Sequence, residues 1–219
     1  MDTEEDASDY DTMDHSAVNA QFCEDLAKVL NMGDAPRLLD VGTGTAQIPI
    51  ELCKRFPQCT VVALDLAASM LAKARQNVRA ADLSDRIELR LADAKDPKFT
   101  ETFDAVVSNS IVHHIAEPKS VLAAICERVS PGGVIFVRDL ARPADVKTLE
   151  GIVDRYAPET GTDDQTRARS THQRKLFRDS LHAALTLEEV RALVTELGVD
   201  PEAVTLTSDR HWTLAVRRL

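Results

Sequence analysis

The sequence predicts an α/β fold: a doubly wound, mostly parallel sheet with an antiparallel edge. Three observations carry that prediction. Apolar runs of strand length alternate with helical patterns in five successive strand–helix units between residues 37 and 139, and such units build parallel sheets with right-handed crossovers. The first of these runs, Arg37-Leu38-Leu39-Asp40-Val41, leads into the glycine-spaced turn Gly42-Thr43-Gly44, as a sheet does where it exposes backbone at a strand's carboxyl end. Two further runs end at Asp65 and Asp93, so an acid recurs at the same edge three times.

Composition sets outer bounds. With 219 residues, 44% of them hydrophobic, the chain is long enough for one domain with a substantial core. Net charge is −10, which argues against a general binder of nucleic acid or anionic membrane. Much of the excess sits at the start, where Asp2, Glu4, Glu5, Asp6, Asp9, Asp11 and Asp14 have no Lys or Arg among them. Such a start is expected to be mobile over residues 1–15 and is no signal peptide, which needs a basic end and an apolar core. No apolar run approaches a membrane span. Cys23, Cys53, Cys59 and Cys126 are scattered without a C-x-x-C pair, the pattern of reduced core thiols in a cytoplasmic protein.

The elements follow in order. A helix is expected over Ser16–Leu30, with Val18, Phe22, Leu26, Val29 and Leu30 as its apolar stripe, ended by Gly33 and Pro36. After the glycine turn a helix runs from Gln47 to Phe56, where Pro49 is tolerable in the first turn and Pro57 is a stop. Thr60–Asp65 is a strand and Ala68–Ala80 a helix with Met70, Leu71, Ala74 and Val78 inward. Ile87–Ala92 and Phe103–Asn109 are the next strands. Pro118 opens a helix to about Val129, and Ser130-Pro131-Gly132-Gly133 is read as a tight turn into a strand over Val134–Asp139.

Residues 140–184 break the rhythm and read as a helical insertion. Pro143 opens one helix to about Tyr156, and a second, Thr166–His182, carries Arg167, Arg169, Arg174, Lys175 and Arg178. A solvated helical face is the plainer reading of that basic run. Thr186 with Glu189 is a capping-box start for a helix to Leu197, capped by Gly198. Ala203–Thr207 and Trp212–Val216 then form an antiparallel closing pair, because so short a join cannot return a parallel neighbour.

The glycine turn also bears on the ligand. Gly42 and Gly44 permit a sharp turn and close approach to bare backbone. Asp40 beside them suits a cation, whereas a dinucleotide's pyrophosphate wants amide donors and no adjacent carboxylate. The dinucleotide pattern G-x-G-x-x-G would also need glycine at Gln47.

Asp40-Val41-Gly42-Thr43-Gly44-Thr45-Ala46 resembles the first motif of the class I S-adenosylmethionine-dependent methyltransferases, with Ala46 in place of the usual last glycine. Pro131-Gly132-Gly133 before a hydrophobic strand is similar to the same family. The resemblance covers residues 37–139 and implies the family's Rossmann-like fold as one domain over residues 16–219. It also implies S-adenosylmethionine as cofactor, with S-adenosylhomocysteine as product. Asp40, Gly42, Thr43, Gly44 and Asn109 would then hold it. Asp65, some 20 residues past the glycines, would accept from the ribose hydroxyls, or else cap the following helix. Leu66 and Met70 would face the adenine ring. Asp93 and the Ala94 backbone would meet the adenine edge, unless Asp93 is simply a turn residue.

The Ser110–Ile115 segment is similar to the family's loop beneath the methionine part of the cofactor. His113 and His114 are therefore the candidate catalytic bases, unless they brace the loop. His172 and His182 are weaker candidates, and Arg138 and Arg142 could hold an acidic acceptor or pair with Asp139. A helix preceding the first strand often folds over the cofactor in this family, which would bring Tyr10 and Met13 to the pocket.

The expected acceptor is a small organic molecule methylated at O, C or N, with the insertion lying over its site. No metal, nucleic acid or membrane is called for, since the family's N-P-P-Y type sequence and its metal-site acid cluster are missing. Two other readings remain: a non-catalytic cofactor-binding or regulatory protein of the same fold, and a nicotinamide-dependent oxidoreductase.

Overall fold

The computed structural model describes Thr3, Asp11, residues 16–30 and residues 35–218. Tyr10, Met13 and Gly33 lie outside the described residues. In chain order the elements are α1 (Ser16–Val29), β1 (Arg37–Val41), α2 (Gln47–Arg55), β2 (Thr60–Asp65), α3 (Ala68–Ala80), β3 (Ile87–Leu91) and β4 (Phe103–Asn109). A single 3₁₀ turn over Val112–His114 precedes α4 (Pro118–Arg128) and β5 (Val129–Leu140). Then come α5 (Val146–Tyr156), α6 (Asp164–Ala183), α7 (Leu187–Glu196), β6 (Val204–Leu206) and β7 (His211–Arg217).

The strands form one seven-stranded sheet in the order β3-β2-β1-β4-β5-β7-β6. β1 pairs parallel with both β2 and β4, in registers such as Leu38 opposite Val61 and Leu38 opposite Ala105. β2 pairs parallel with β3, and β6 antiparallel with β7. β1 is buried at four of its five residues and β4 at five of its seven, because helices cover both faces of a central parallel strand. β3 shows the other condition: Ile87 is buried while Glu88 and Leu91 are exposed, as suits an edge.

The chain divides into two compact units, and the division falls within β5 and β7. The first unit comprises Met1–Asn109, Lys119–Val137 and Ala215–Leu219. Its core gathers Phe22 and Leu26 from α1, Leu38 from β1, Ile50 and Leu52 from α2, Val61 from β2 and Phe136 from β5. Phe22 meets Phe136 edge to face, ring centres 5.0 Å apart. Each such fully buried side chain contributes about 1.5–3 kcal/mol. Val18, expected on the buried stripe, is exposed; α1 buries Phe22, Cys23 and Leu26, a narrower stripe than its apolar residues suggested.

The second unit comprises Ser110–Pro118 and Arg138–Leu214. Its core is Leu140, Leu149, Ile152, Val153, Leu181 and Ala184, with Phe177 packed on it. α5 begins at Val146 rather than at Pro143, since the Asp145 carboxylate caps it by accepting from the Thr148 N–H at 2.8 Å. α6 begins at Asp164 for the same reason, with Asp163 and Thr166 in a reciprocal capping box. The Thr186–Glu189 box at the start of α7 is present as expected.

One turn is corrected. Residues 130–133 do not interrupt the chain before β5; they are part of it, and the strand begins at Val129. The backbone there is held open by the chain's end, for Gly132 N–H donates to the Arg218 carbonyl and Arg218 N–H to the Gly133 carbonyl, each at 2.8 Å. Gly132 has φ +77°, and a Cβ at Gly133 would sit 2.8 Å from the Asp104 carbonyl oxygen. The two glycines thus serve a strand with a backbone packed hard against it.

Candidate functional site

Strand order reverses at β1 and β4, so the connections leaving their carboxyl ends part and leave a crevice between them. The turn after β1 fills one side of it. Gly42 (φ +77°) and Gly44 (φ +55°) take the left-handed backbone, and so does Ala46 at φ +63°. The turn satisfies its own donors. Gly42 and Thr43 N–H both donate to the Leu64 carbonyl at 2.9 Å, Gly44 N–H to Asp65 Oδ2 at 2.8 Å, and Ala46 N–H to the Thr43 carbonyl at 3.0 Å. Pro49 removes another donor from the first turn of α2. A diphosphate would find few free amides here, which counts against the nicotinamide reading.

What the crevice does offer is acceptors. Its pocket is lined by Asn19 of α1, Asp40, Gly42, Thr43, Thr45, Gln47, Ile48 and Asn109. Asp40 is only 2% exposed, and burial pushes its carboxyl up to about 7, with Asp65 adding a smaller push through its charge. The Thr43 and Thr45 hydroxyls are buried and make no hydrogen bond of good geometry, although Thr43 lies near enough to Asp40, and Thr45 to Asp11, to favour each ionised carboxylate. Buried hydroxyls held this loosely are uncommon, and here two line the same pocket as a buried carboxyl. A ligand that brings donors and positive charge would satisfy all three groups.

The remaining predicted positions fall as follows. Asp65 uses each carboxylate oxygen once, accepting from Gly44 N–H and, through Oδ1, from Ala67 N–H at 2.9 Å; it ties the glycine turn to the start of α3. Ala67, the cap of α3, makes no side-chain cap bond of its own. Leu66 is 67% exposed, whereas Met70 is buried. Asp93 accepts from Lys95 N–H at 2.9 Å and pairs with the Lys95 ammonium at 3.4 Å, in a turn with Ala94 partly buried. Asn19 and Thr45 belong to the pocket but were not singled out from the sequence. Thr45 lies inside the motif and was within reach, but nothing local distinguishes Asn19 from any other polar residue on an amphipathic helix.

Residues 38–133 match a protein family described as a methyltransferase domain. Over those residues the chain carries a methyltransferase domain similar to that of class I S-adenosylmethionine-dependent methyltransferases. It is 27% identical over 172 residues to the malonyl-[acyl-carrier protein] O-methyltransferase of Halalkalibacterium halodurans, covering 76% of this chain and 63% of that protein. It is 32% identical over 102 residues to the trans-aconitate 2-methyltransferase of Deinococcus radiodurans, covering 47% and 37% respectively. The chain therefore spans less than two thirds of the length of either curated relative. Among solved structures, a SAM-dependent methyltransferase from Aquifex aeolicus superposes with a TM-score of 0.69 at 15% identity, over 99% of each chain, and so shares the fold.

The segment after β4 belongs to the second unit. Ser110 turns the chain with φ +59°, its N–H donating to the Arg138 carbonyl at 2.9 Å. Asp139, 1% exposed, then anchors the 3₁₀ turn. Its Oδ2 accepts from Val112 N–H at 2.5 Å, and its Oδ1 meets His113 Nδ1 at 2.5 Å and Leu140 N–H at 2.6 Å. His113 is thereby fixed in one ring orientation with its side chain 5% exposed. His114 is exposed, its ring 3.9 Å from that of His113. Partial burial of its ring, and then the neighbouring His113, hold its pKa down at about 4, so it is a neutral imidazole at neutral pH. Arg138 is buried and donates to Thr213 Oγ1 at 2.9 Å, and Arg142 pairs with Glu189. His172 and His182 are exposed on α6.

Proposed function

We propose that this methyltransferase transfers the methyl group of S-adenosylmethionine to an O, C or N atom of a small organic molecule. The observation that supports the reading most is the pocket at the end of β1, where a buried carboxyl and two loosely held hydroxyls surround bare glycine backbone. When bound, the cofactor supplies a methyl group already activated on a sulfonium. The protein's own task is then to align the partners and exclude water. Asp40 sets negative charge against the cationic end of the ligand, and Thr43, Thr45 and Asn109 supply hydrogen bonds beside it. Asp65 contributes its remaining lone pairs to the ribose while keeping the turn closed, and Leu66 and Asp93 serve the adenine end.

On the acceptor side, the Asp139–His113 pair holds the 3₁₀ turn and His114 accepts a hydrogen bond from the nucleophile. A neutral imidazole of low basicity is sufficient there, because the activated methyl group asks little of a base. A small acceptor is supported by the net charge of −10 and by the fate of the basic run on α6. Arg178 makes a two-pronged contact with Glu150 at 2.7 Å, Arg174 pairs with Asp154, and Lys175 pairs with Asp179, so these side chains cross-link and coat helices instead of forming a phosphate track. It is also supported by the similarity to a relative named for trans-aconitate. Four free thiols fit the cytoplasm, and among the described residues no helix is long and apolar enough to cross a membrane.

The test is incubation with methyl-labelled cofactor and either a small-metabolite extract or bulk tRNA and protein. Label is expected in a small product, with S-adenosylhomocysteine formed in equal amount and the rate reduced in His114→Gln. Label found only in tRNA or protein would overturn the small-molecule assignment, and no transfer to any fraction would favour a non-catalytic binder.

A further inference from the structure

Gln47, the first residue of α2, lines the cofactor pocket, and the direction of its side-chain amide is set by a residue far away in sequence. Gln47 Nε2 donates to Asp11 Oδ1 at 3.1 Å. The same oxygen accepts from Asn77 Nδ2 of α3 at 2.7 Å, and Asn77 Nδ2 also donates to the Thr45 carbonyl of the glycine turn at 3.1 Å. The Lys73 ammonium, one helical turn before Asn77, lies 3.2 Å from Asp11 Oδ2. The Asp11 side chain is 14% exposed. One carboxylate thus gathers donors from α2 and α3, and both amides it holds also bear on the pocket wall.

We propose that Asp11 is a positioning residue of the cofactor pocket: it fixes Gln47 and, through Asn77, the Thr45 carbonyl. The consequence is chemical as well as steric. With Nε2 directed at Asp11, one of its two N–H groups is spent while the carbonyl oxygen stays on offer, so the wall at that point is weighted toward an acceptor. It matches the neighbouring Asp40 in favouring the donor-rich, cationic end of the methyl donor. Without Asp11 the amide is free to rotate and offer its N–H groups instead. This inference rests on the reading of the pocket as the cofactor site.

Titration calorimetry with S-adenosylhomocysteine, on the full chain and on Asp11→Ala, Gln47→Ala and the double variant, tests it. Asp11→Ala is expected to weaken binding about five- to tenfold, the size of one lost hydrogen-bond contribution. The melting temperature without ligand should change little, and Asp11→Glu should recover part of the affinity. Because Asp11 acts in part through Gln47, the double variant should bind worse than either single one but better than the sum of the two losses. Wild-type affinity in Asp11→Ala would overturn the proposal, as would full additivity of the two losses. If the wild-type chain itself fails to bind S-adenosylhomocysteine, the pocket assignment falls first, and the assignment of Asp11 falls with it.

Discussion

Asp40 has a carboxyl that is neutral to half-ionised near pH 7 while its pocket holds no positive charge, because burial raises it to about 7. A cationic ligand favours the ionised form and pulls that value down on binding. Cofactor affinity should therefore rise up to about tenfold per pH unit as pH climbs toward 7, then level off, with a proton released on binding below that point. Calorimetry in buffers of different ionisation enthalpy would detect the proton, and Asp40→Asn should bind weakly at every pH. A pH-independent affinity in the wild type would refute the assignment. Ala46 makes a second residue-scale case. It occupies a left-handed conformation costing about 1 kcal/mol for a residue with a Cβ. Ala46→Gly should therefore be neutral or stabilising in a melt, against the usual loss of 0.5–1 kcal/mol for such a change. The motif's departure from glycine was visible in the sequence, whereas the strain it carries needed φ. Asp11 was not legible at all, because a single acid in an acidic stretch gives no sign of the distant amides it meets.

At the scale of elements, periodicity served well where one force dominates. β2 and α3 end at the residues their apolar patterns predicted, since burial alone sets them. It served less well where capping or a distant strand decides. Asp145 and Asp163 moved the starts of α5 and α6, and the chain's last residues drew Pro131–Gly133 into β5. The α5–α6 pair also shows which forces hold an element. Leu181 is fully buried between them, and Leu181→Ala should cost about 2–5 kcal/mol in denaturant titration. Arg178→Met removes a half-exposed ion pair with Glu150 and should cost less, with an effect that fades as salt is raised. Equal losses from the two substitutions would mean that the interhelix charges matter more than the apolar seam.

For the whole molecule, three groups are displaced far enough to shape how stability changes between about pH 4 and 7. His211, half-buried, is held near 4 chiefly by burial, and His114, exposed as a residue, by the partial covering of its ring and by the neighbouring His113. The unfolded chain therefore binds more protons than the folded one between pH 4 and about 6.5, and both histidines cost stability as pH falls through that window. Asp40 acts in the opposite direction. Raised to about 7, it keeps its proton in the folded state and loses stability as pH rises from about 4 to 7. Two groups outweigh one below 6.5, and only Asp40 is left above it. The melting temperature without ligand should peak near pH 6.5, and in Asp40→Asn the fall above that peak should disappear. The same fall in the variant would show that Asp40 is not its cause. At this scale the fold class and strand sequence were legible, because repeated strand–helix units leave few alternative topologies, although β3 runs to β4 without the helix that five full units would need. The division into two units, each made of separated stretches of chain, was not, since it depends on contacts that cross β5 and β7.

The glycine turn of the first unit has all of these backbone donors (Gly42, Thr43, Gly44 and Ala46) bound to Leu64, Asp65 and the turn itself before any guest arrives. A receptor built in advance has little freedom left to surrender at the moment of capture. Spent and fresh nucleoside should then trade places at that wall without a folding step, so that encounter and escape would set the pace of exchange there.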